Sequence, residues 1–134
     1  MAALTNLGQT DMLYGTATPN GGLANLGTKL KLYDTSSTPN VNGTGFTETV
    51  NGNGYTTGGF ALTRSDYTNS LVGGNQQIVI GNKVVTATGT IPTVAGAFLT
   101  DASDAVLCWW DRGSAVTLNS GDTLTLNALT IGLT

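Results

Sequence analysis

Histidine starts most side-chain chemistry in small proteins, and this chain has none. Without an imidazole, Ser/His/Asp and Cys/His constellations are impossible, and so are zinc sites that use histidine. The one thiol, Cys108, lies in an apolar run with no base beside it, which fits a small core residue better than a nucleophile. Acid–base work is left to carboxylates. Asp101, Asp104 and Asp111 fall at successive turn signals and could converge on a calcium ion or form an acid pair of the glycosidase kind. Turn chemistry accounts for the same three positions without further assumption, because an aspartate side chain bonds the backbone two residues on. No catalytic residue, cofactor or metal is assigned, and the chain does not read as an enzyme. Gly52-Asn53-Gly54 and Gly73-Gly74 lack the lysine and strand-to-helix context of a phosphate loop and read as turns. The remaining candidates are Trp109 and Trp110. An exposed indole can stack on a sugar or anchor an interface, whereas a buried one is core. Strand neighbours point to opposite faces, so one indole is expected inside and the other under a loop, the N-terminal segment or a partner.

The elements that must position these residues are strands. Over residues 94–133, short apolar runs alternate with Asp, Ser, Asn and Gly clusters, the pattern of antiparallel strands joined by tight connections. Strands are expected at 94–100, 105–110, 115–118 and 123–126, with turns at 101–104, 111–114 and 119–122. In the second, Ala105, Leu107 and Trp109 would share one face and Val106, Cys108 and Trp110 the other, so that strand needs two covers. Leu124 and Leu126 are one residue out of phase with Leu129, Ile131 and Leu133, which a bulge near Asn127 would correct. Upstream, 28–33 alternates cleanly, with Leu30 and Leu32 inward and Lys29, Lys31 and Tyr33 on a wet face. A long loop (34–45) leads through 46–50 to the doubled Asn-Gly turn at 51–54. A strand is expected over 55–64, with a bulge or close backbone approach at Gly58-Gly59, and a polar link over 65–75. Strands 76–80 and 83–91 read as a hairpin about Gly81-Asn82, closed by Pro92. No long helix is expected. The whole predicts an all-β protein, an antiparallel, jelly-roll-like β-sandwich over 28–134 with an extended N-terminal arm over 1–27.

At 134 residues the length suits one such domain without disulfide or metal staples. Five basic against eight acidic residues leave a net charge of −3 with no basic cluster, which argues against nucleic acid. Only 10% of residues are charged, against roughly a quarter in ordinary domains, and Thr, Gly and Asn take their place. A surface so weakly charged tolerates being covered by neighbours, although Thr-rich strands and Gly/Asn turns produce part of the bias on their own. A single cysteine excludes an intrachain disulfide, the start lacks a basic and apolar leader pattern, and no apolar run is long enough to span a bilayer. Synthesis in a cytoplasm is expected, with no membrane partner, and the sequon at Asn42 reads as accidental.

Five stretches carry a family resemblance: Leu30-Lys-Leu-Tyr-Asp34, Thr38-Pro39, Glu48-Thr-Val-Asn-Gly-Asn-Gly-Tyr55, the run from Val94 through Leu107, and Val116-Thr-Leu-Asn-Ser-Gly-Asp-Thr-Leu-Thr-Leu126. Together they resemble a family of small tailed-bacteriophage virion proteins, variously head decoration (cement) proteins or tail-fibre components. The chain departs from that family at Thr57, where many relatives have arginine, and in its Thr/Asn/Gly arm, which stands in place of an N-terminal helix. The resemblance implies a β-sandwich that assembles on a virion, and the first expectation is a capsid decoration protein made in the host cytoplasm and placed on the capsid surface. Its partner would be the major capsid protein, and it would form a homo-oligomer, a trimer or dimer. The expected interface combines Leu4, Leu7, Met12 and Tyr14 of the arm with Trp109 and Trp110. The alternative is a tail or tail-fibre component that binds a host-surface glycan through Trp109, Trp110 or Tyr55.

Overall fold

Leucine, β-branched and aromatic residues set between Asn, Asp and Gly clusters favour pleated, half-buried chain, and strands dominate the computed structural model, which describes residues 3–4, 22–72 and 75–132. In chain order these are β1 (Ala3–Leu4), the single helical turn α1 (Leu23–Leu26), β2 (Lys29–Asp34), β3 (Phe60–Ala61), a 3-10 turn (Arg64–Asp66), β4 (Tyr67–Val72), β5 (Asn75–Ile80), β6 (Lys83–Thr86), β7 (Ile91–Thr100), β8 (Val106–Leu118), β9 (Thr123–Leu126) and β10 (Leu129–Gly132). Every pairing is antiparallel, and the sheets run β1-β8-β7-β2-β3, β10-β5-β4 and β6-β9. The fold is therefore all-β, as expected. A jelly roll divides eight strands between two sheets; here the division is five, three and two.

The register of the five-stranded sheet sorts its side chains into rows. Leu30, Leu99 and Cys108 lie opposite one another, as do Leu32, Ala97 and Trp110, and both rows join a core completed by Ile80, Ile131, Val85 and Leu118 from the other sheets and neighbouring strand ends. Lys31, Phe98 and Trp109 form the intervening row on the opposite face. Leu107 breaks the alternation expected of its strand: Leu99 pairs with Cys108 but Thr100 with Val106, so Leu107 is an extra residue and is buried in the core beside Cys108.

The other two sheets are one ribbon bent at a corner. Lys83 lies opposite Leu126 and Ile80 opposite Leu129, three residues apart on both strands, so the register runs unbroken past Gly81-Asn82 and Asn127-Ala128. The Asn82 side chain accepts the Ala128 N–H at 2.9 Å across the corner, and Asp66 O accepts the Gly81 N–H at 2.8 Å. Ile78 and Ile80 face the core before the bend and Val85 after it, a slip of one residue that turns the opposite side of the ribbon inward. The same slip separates Leu124 and Leu126 from Leu129 and Ile131, so the expected correction near Asn127 is made by this corner rather than by a bulge.

Several expected elements change accordingly. The strands flanking Gly81-Asn82 do not form a hairpin, because β5 pairs with β4 and β10 while β6 pairs with β9. Residues 65–75 are not a polar link: they carry β4, whose Tyr67 is buried and donates to Gly27 O at 2.6 Å. Ile91 and Pro92 open β7 instead of closing the preceding strand. The chain does not reverse at 111–114. β8 continues through it, with residues 112–115 looped out against Ala95 alone. Leu23 is buried in the core, so the packed body reaches back into the segment expected to be arm. Between 55 and 64 only Phe60–Ala61 is strand, pairing with Lys29 and Leu30.

The close approach expected at Gly58-Gly59 is present. Gly59 has φ +67°, and a Cβ there would lie 2.1 Å from Leu30 O. Gly121 has φ +94° with nothing within 4 Å of such a Cβ. Gly59→Ala must therefore both strain its backbone and displace β2, whereas Gly121→Ala only strains. We expect losses of about 3 and about 1 kcal/mol respectively in urea denaturation; equal losses would contradict the close approach.

Candidate interaction surface

The Lys29, Lys31 and Tyr33 face of β2 is the one expected to be wet, and it is mostly covered. Lys31 and Tyr33 are 8% and 3% exposed. The cover is the segment that returns from the 34–45 loop alongside β2, held by Asp34 N–H to Thr47 O at 3.1 Å and Thr49 N–H to Leu32 O at 2.9 Å. It lays Phe46 across the sheet, stacked on Phe98 at 5.0 Å and edge-on to Tyr33 at 5.7 Å and Trp109 at 5.8 Å. These offset and T-shaped contacts suit the aromatic quadrupole.

Glu48, the sole glutamate of the chain, pins this cover. One of its oxygens, Oε1, accepts the Tyr55 hydroxyl at 2.8 Å and the Gly58 N–H at 2.6 Å, and Oε2 lies 3.5 Å from Lys31 Nζ. The Tyr55 hydroxyl in turn accepts the Leu32 N–H at 3.0 Å, so β2, the cover and the Asn-Gly turn meet at one buried phenol. The turn takes the predicted form: Asn53 and Gly54 both have positive φ, and Gly52 and Tyr55 exchange backbone bonds. Burial dominates in pushing the Tyr55 pKa well up, with Glu48 adding to it. Tyr33 is raised to about 12 by burial and then by the Asp111 charge.

Lys31 also reaches Asp104 at 2.9 Å, and Lys29 approaches the same oxygen at 2.9 Å. Burial acts to lower the Lys31 pKa, but its hydrogen bond to Asp104 and the charges of Glu48 and Asp104 outweigh this and raise it. Asp104 is held at about 2, first by the hydrogen bonds from Lys29 and Lys31. Asp101, by contrast, turns back on its own hairpin, accepting Ser103 N–H at 2.8 Å and Ala105 N–H at 2.9 Å. Asp111 accepts Gly113 N–H at 2.7 Å inside the looped-out segment. Each of the three aspartates thus has a framework partner, and among the described residues no group of three or more His, Cys, Asp or Glu side chains could hold a metal ion.

The two tryptophans divide as strand geometry requires. Trp110 packs on the core side and donates Nε1–H to Thr130 O at 3.1 Å. It lines a cavity of about 190 Å³ with Val94, Ala97, Leu124, Leu126 and Leu129. Trp109 is half-buried on the outer face beside Phe46. Leu4 lies opposite Cys108 and Ala3 opposite Trp109 where β1 joins the sheet edge. Leu7, Met12 and Tyr14 lie outside the described residues. Tyr55 is 3% exposed and offers no stacking platform. Cys108 is fully buried, and burial pushes its thiol pKa far up, away from nucleophilic use.

Sequence reading overlooked Phe46, Glu48 and Lys31 because the period-two pattern says only which face a residue occupies, not what covers it. The available signal was the lone Phe46 and Glu48 between two Gly-rich turns. Removing the cover should expose Trp109: Phe46→Ala is expected to red-shift tryptophan emission and cost about 2 kcal/mol, and an unchanged spectrum would contradict this packing. Set against protein-family models, curated proteins and solved structures, the chain matches none of them.

Proposed function

We propose that this protein is a structural component of a virion, a decoration or cement protein that binds the assembled major capsid shell and stabilises it. The observation that carries the reading is the use of its acids. In a chain without histidine, carboxylates are the natural acid–base groups, and all seven in the described residues serve the framework. Asp34 holds Ser36, Glu48 holds Tyr55 and Gly58, and Asp66 pairs with Lys83 and accepts Thr63 N–H. Asp101 and Asp111 close their own turns, Asp104 pairs with two lysines, and Asp122 accepts Asn119 N–H. Chemistry is thus spent on holding a shape, which suits a protein whose work is to be a surface.

The sparse charge supports assembly in the same way, since covering such a surface desolvates few ions. The family resemblance supports assembly on a virion, and the decoration reading takes the major capsid protein as partner and a homo-oligomer as the unit. Stabilisation would follow from mass action: a protein that binds only the assembled shell shifts the equilibrium away from disassembly. The glycan-binding tail reading favours Trp109, because Tyr55 is buried and Trp110 packs its ring against the core.

Copy number separates the two. Quantitative mass spectrometry of purified virions is expected to find this chain at a stoichiometry comparable to the major capsid protein; a handful of copies per particle would overturn the decoration reading in favour of the tail.

A further inference from the structure

Close packing leaves few voids wider than a water in a protein interior, so the cavity of about 190 Å³ against Trp110 calls for an account. Its floor is the inner face of β7 and β8, at Val94, Ala97 and Trp110, and its far wall is the ribbon corner, at Leu124, Leu126 and Leu129. The void lies where the ribbon changes faces, and the residue that meets it from the middle of β7 is the small Ala97. Trp110 does not collapse into the space, because its Nε1–H is fixed on Thr130 O at 3.1 Å. Trp110 and the three leucines are only half-buried, while Arg112, Thr125 and Asn127 beside them are exposed, so the cavity opens to solvent past its apolar walls. An apolar void of about 150 Å³ is enough to admit benzene, whereas pockets for drug-sized ligands begin at roughly 300 Å³. This one therefore suits a single aromatic ring or branched alkyl group.

The rim adds a charge. Lys29, Lys31 and Lys83 each meet a carboxylate. Arg112, by contrast, donates to Ser114 O and pairs with no carboxylate among the described residues. Its planar fork of N–H donors matches a carboxylate in shape as well as in charge. Asp111 also borders the cavity, but its side chain is turned away: strand alternation sends it to the face opposite Trp110, where its charge acts on Tyr33 and its Oδ1 accepts the Gly113 N–H.

We propose that this cavity is a binding site for a small carboxylic acid carrying one aromatic or branched apolar group. The apolar group enters between Trp110 and the leucines, and the carboxylate meets Arg112. The site goes beyond the capsid reading and does not depend on it.

Phenylacetate is the probe and neutral phenylacetamide its control, each titrated into the isotope-labelled full chain. The chain has two tryptophans, and Trp109→Phe tells their indole N–H resonances apart. Phenylacetate is expected to shift the Trp110 resonance saturably, to leave that of Trp109 in place, and to bind more tightly than phenylacetamide. Arg112→Gln should weaken phenylacetate about tenfold, the worth of one charge-assisted hydrogen bond, and leave phenylacetamide unchanged. Ala97→Leu, which grows a side chain into the space, should abolish the binding of both. No saturable shift at Trp110 would overturn the site. Equal binding of the two probes, indifferent to Arg112→Gln, would also overturn it, since the cavity would then be an apolar void with no preference for acids. Should Ala97→Leu fail to fold, Arg112→Gln alters only an exposed residue of the looped-out segment and keeps the test decisive. Copy number on the virion decides the capsid reading separately, so either can fail alone.

Discussion

A sheet whose middle strands are apolar on both faces must be covered twice, and most of this structure follows from that constraint. On the inner side, the rows through Leu30, Leu99 and Cys108 and through Leu32, Ala97 and Trp110 are covered by the bent ribbon of β5, β6, β9 and β10. The ribbon can serve two sheets because its corner keeps register while exchanging faces. On the outer side, Phe46 closes over Phe98 and Trp109, and the cover is held by Glu48. Burying Lys31 beneath it would be costly if the amine were alone; Asp104 and Glu48 make the position tenable. This small ionic cluster is therefore the condition for the aromatic cover rather than an independent source of stability.

How much of this was legible in the sequence depends on the range of the interaction. Local patterns were reliable: the alternation through Leu30 and Leu32, the Asn53-Gly54 turn, the close approach at Gly59 and the opposed tryptophans all follow from backbone sterics and pleat within a few residues. Pairing was less so. Gly81-Asn82 has the composition of a hairpin turn, yet its Asn side chain is spent on Ala128, far along the chain, and the strand changes sheets. Asp111-Arg112-Gly113-Ser114 similarly has turn composition and forms a turn-like loop, but within a continuing strand. The phase slip in the last strands was visible and its cause was not, because a corner needs both strands of the ribbon to be seen together. The cover over Lys31 was invisible for the same reason: nothing local to β2 announces Phe46 or Glu48.

The functional account rests on economy of charge. Few ionised groups, with every described carboxylate engaged by the framework, leave a surface of Thr, Asn and Gly that can be covered at little electrostatic cost, and a half-buried Trp109 near the edge where β1 joins. Under the proposed function, such a protein gains its effect by contact. Its contribution to a shell would be read as a shift in the shell's own stability, growing with the logarithm of its free concentration above the dissociation constant.

The most direct test of the proposed function is the melting of expanded, mature shells that lack this protein, with and without its addition at saturating concentration. The account predicts binding to assembled shells and a higher melting temperature that returns to the starting value when the protein is washed away. Shells that do not bind it, or that bind it and melt unchanged, would contradict a cementing role.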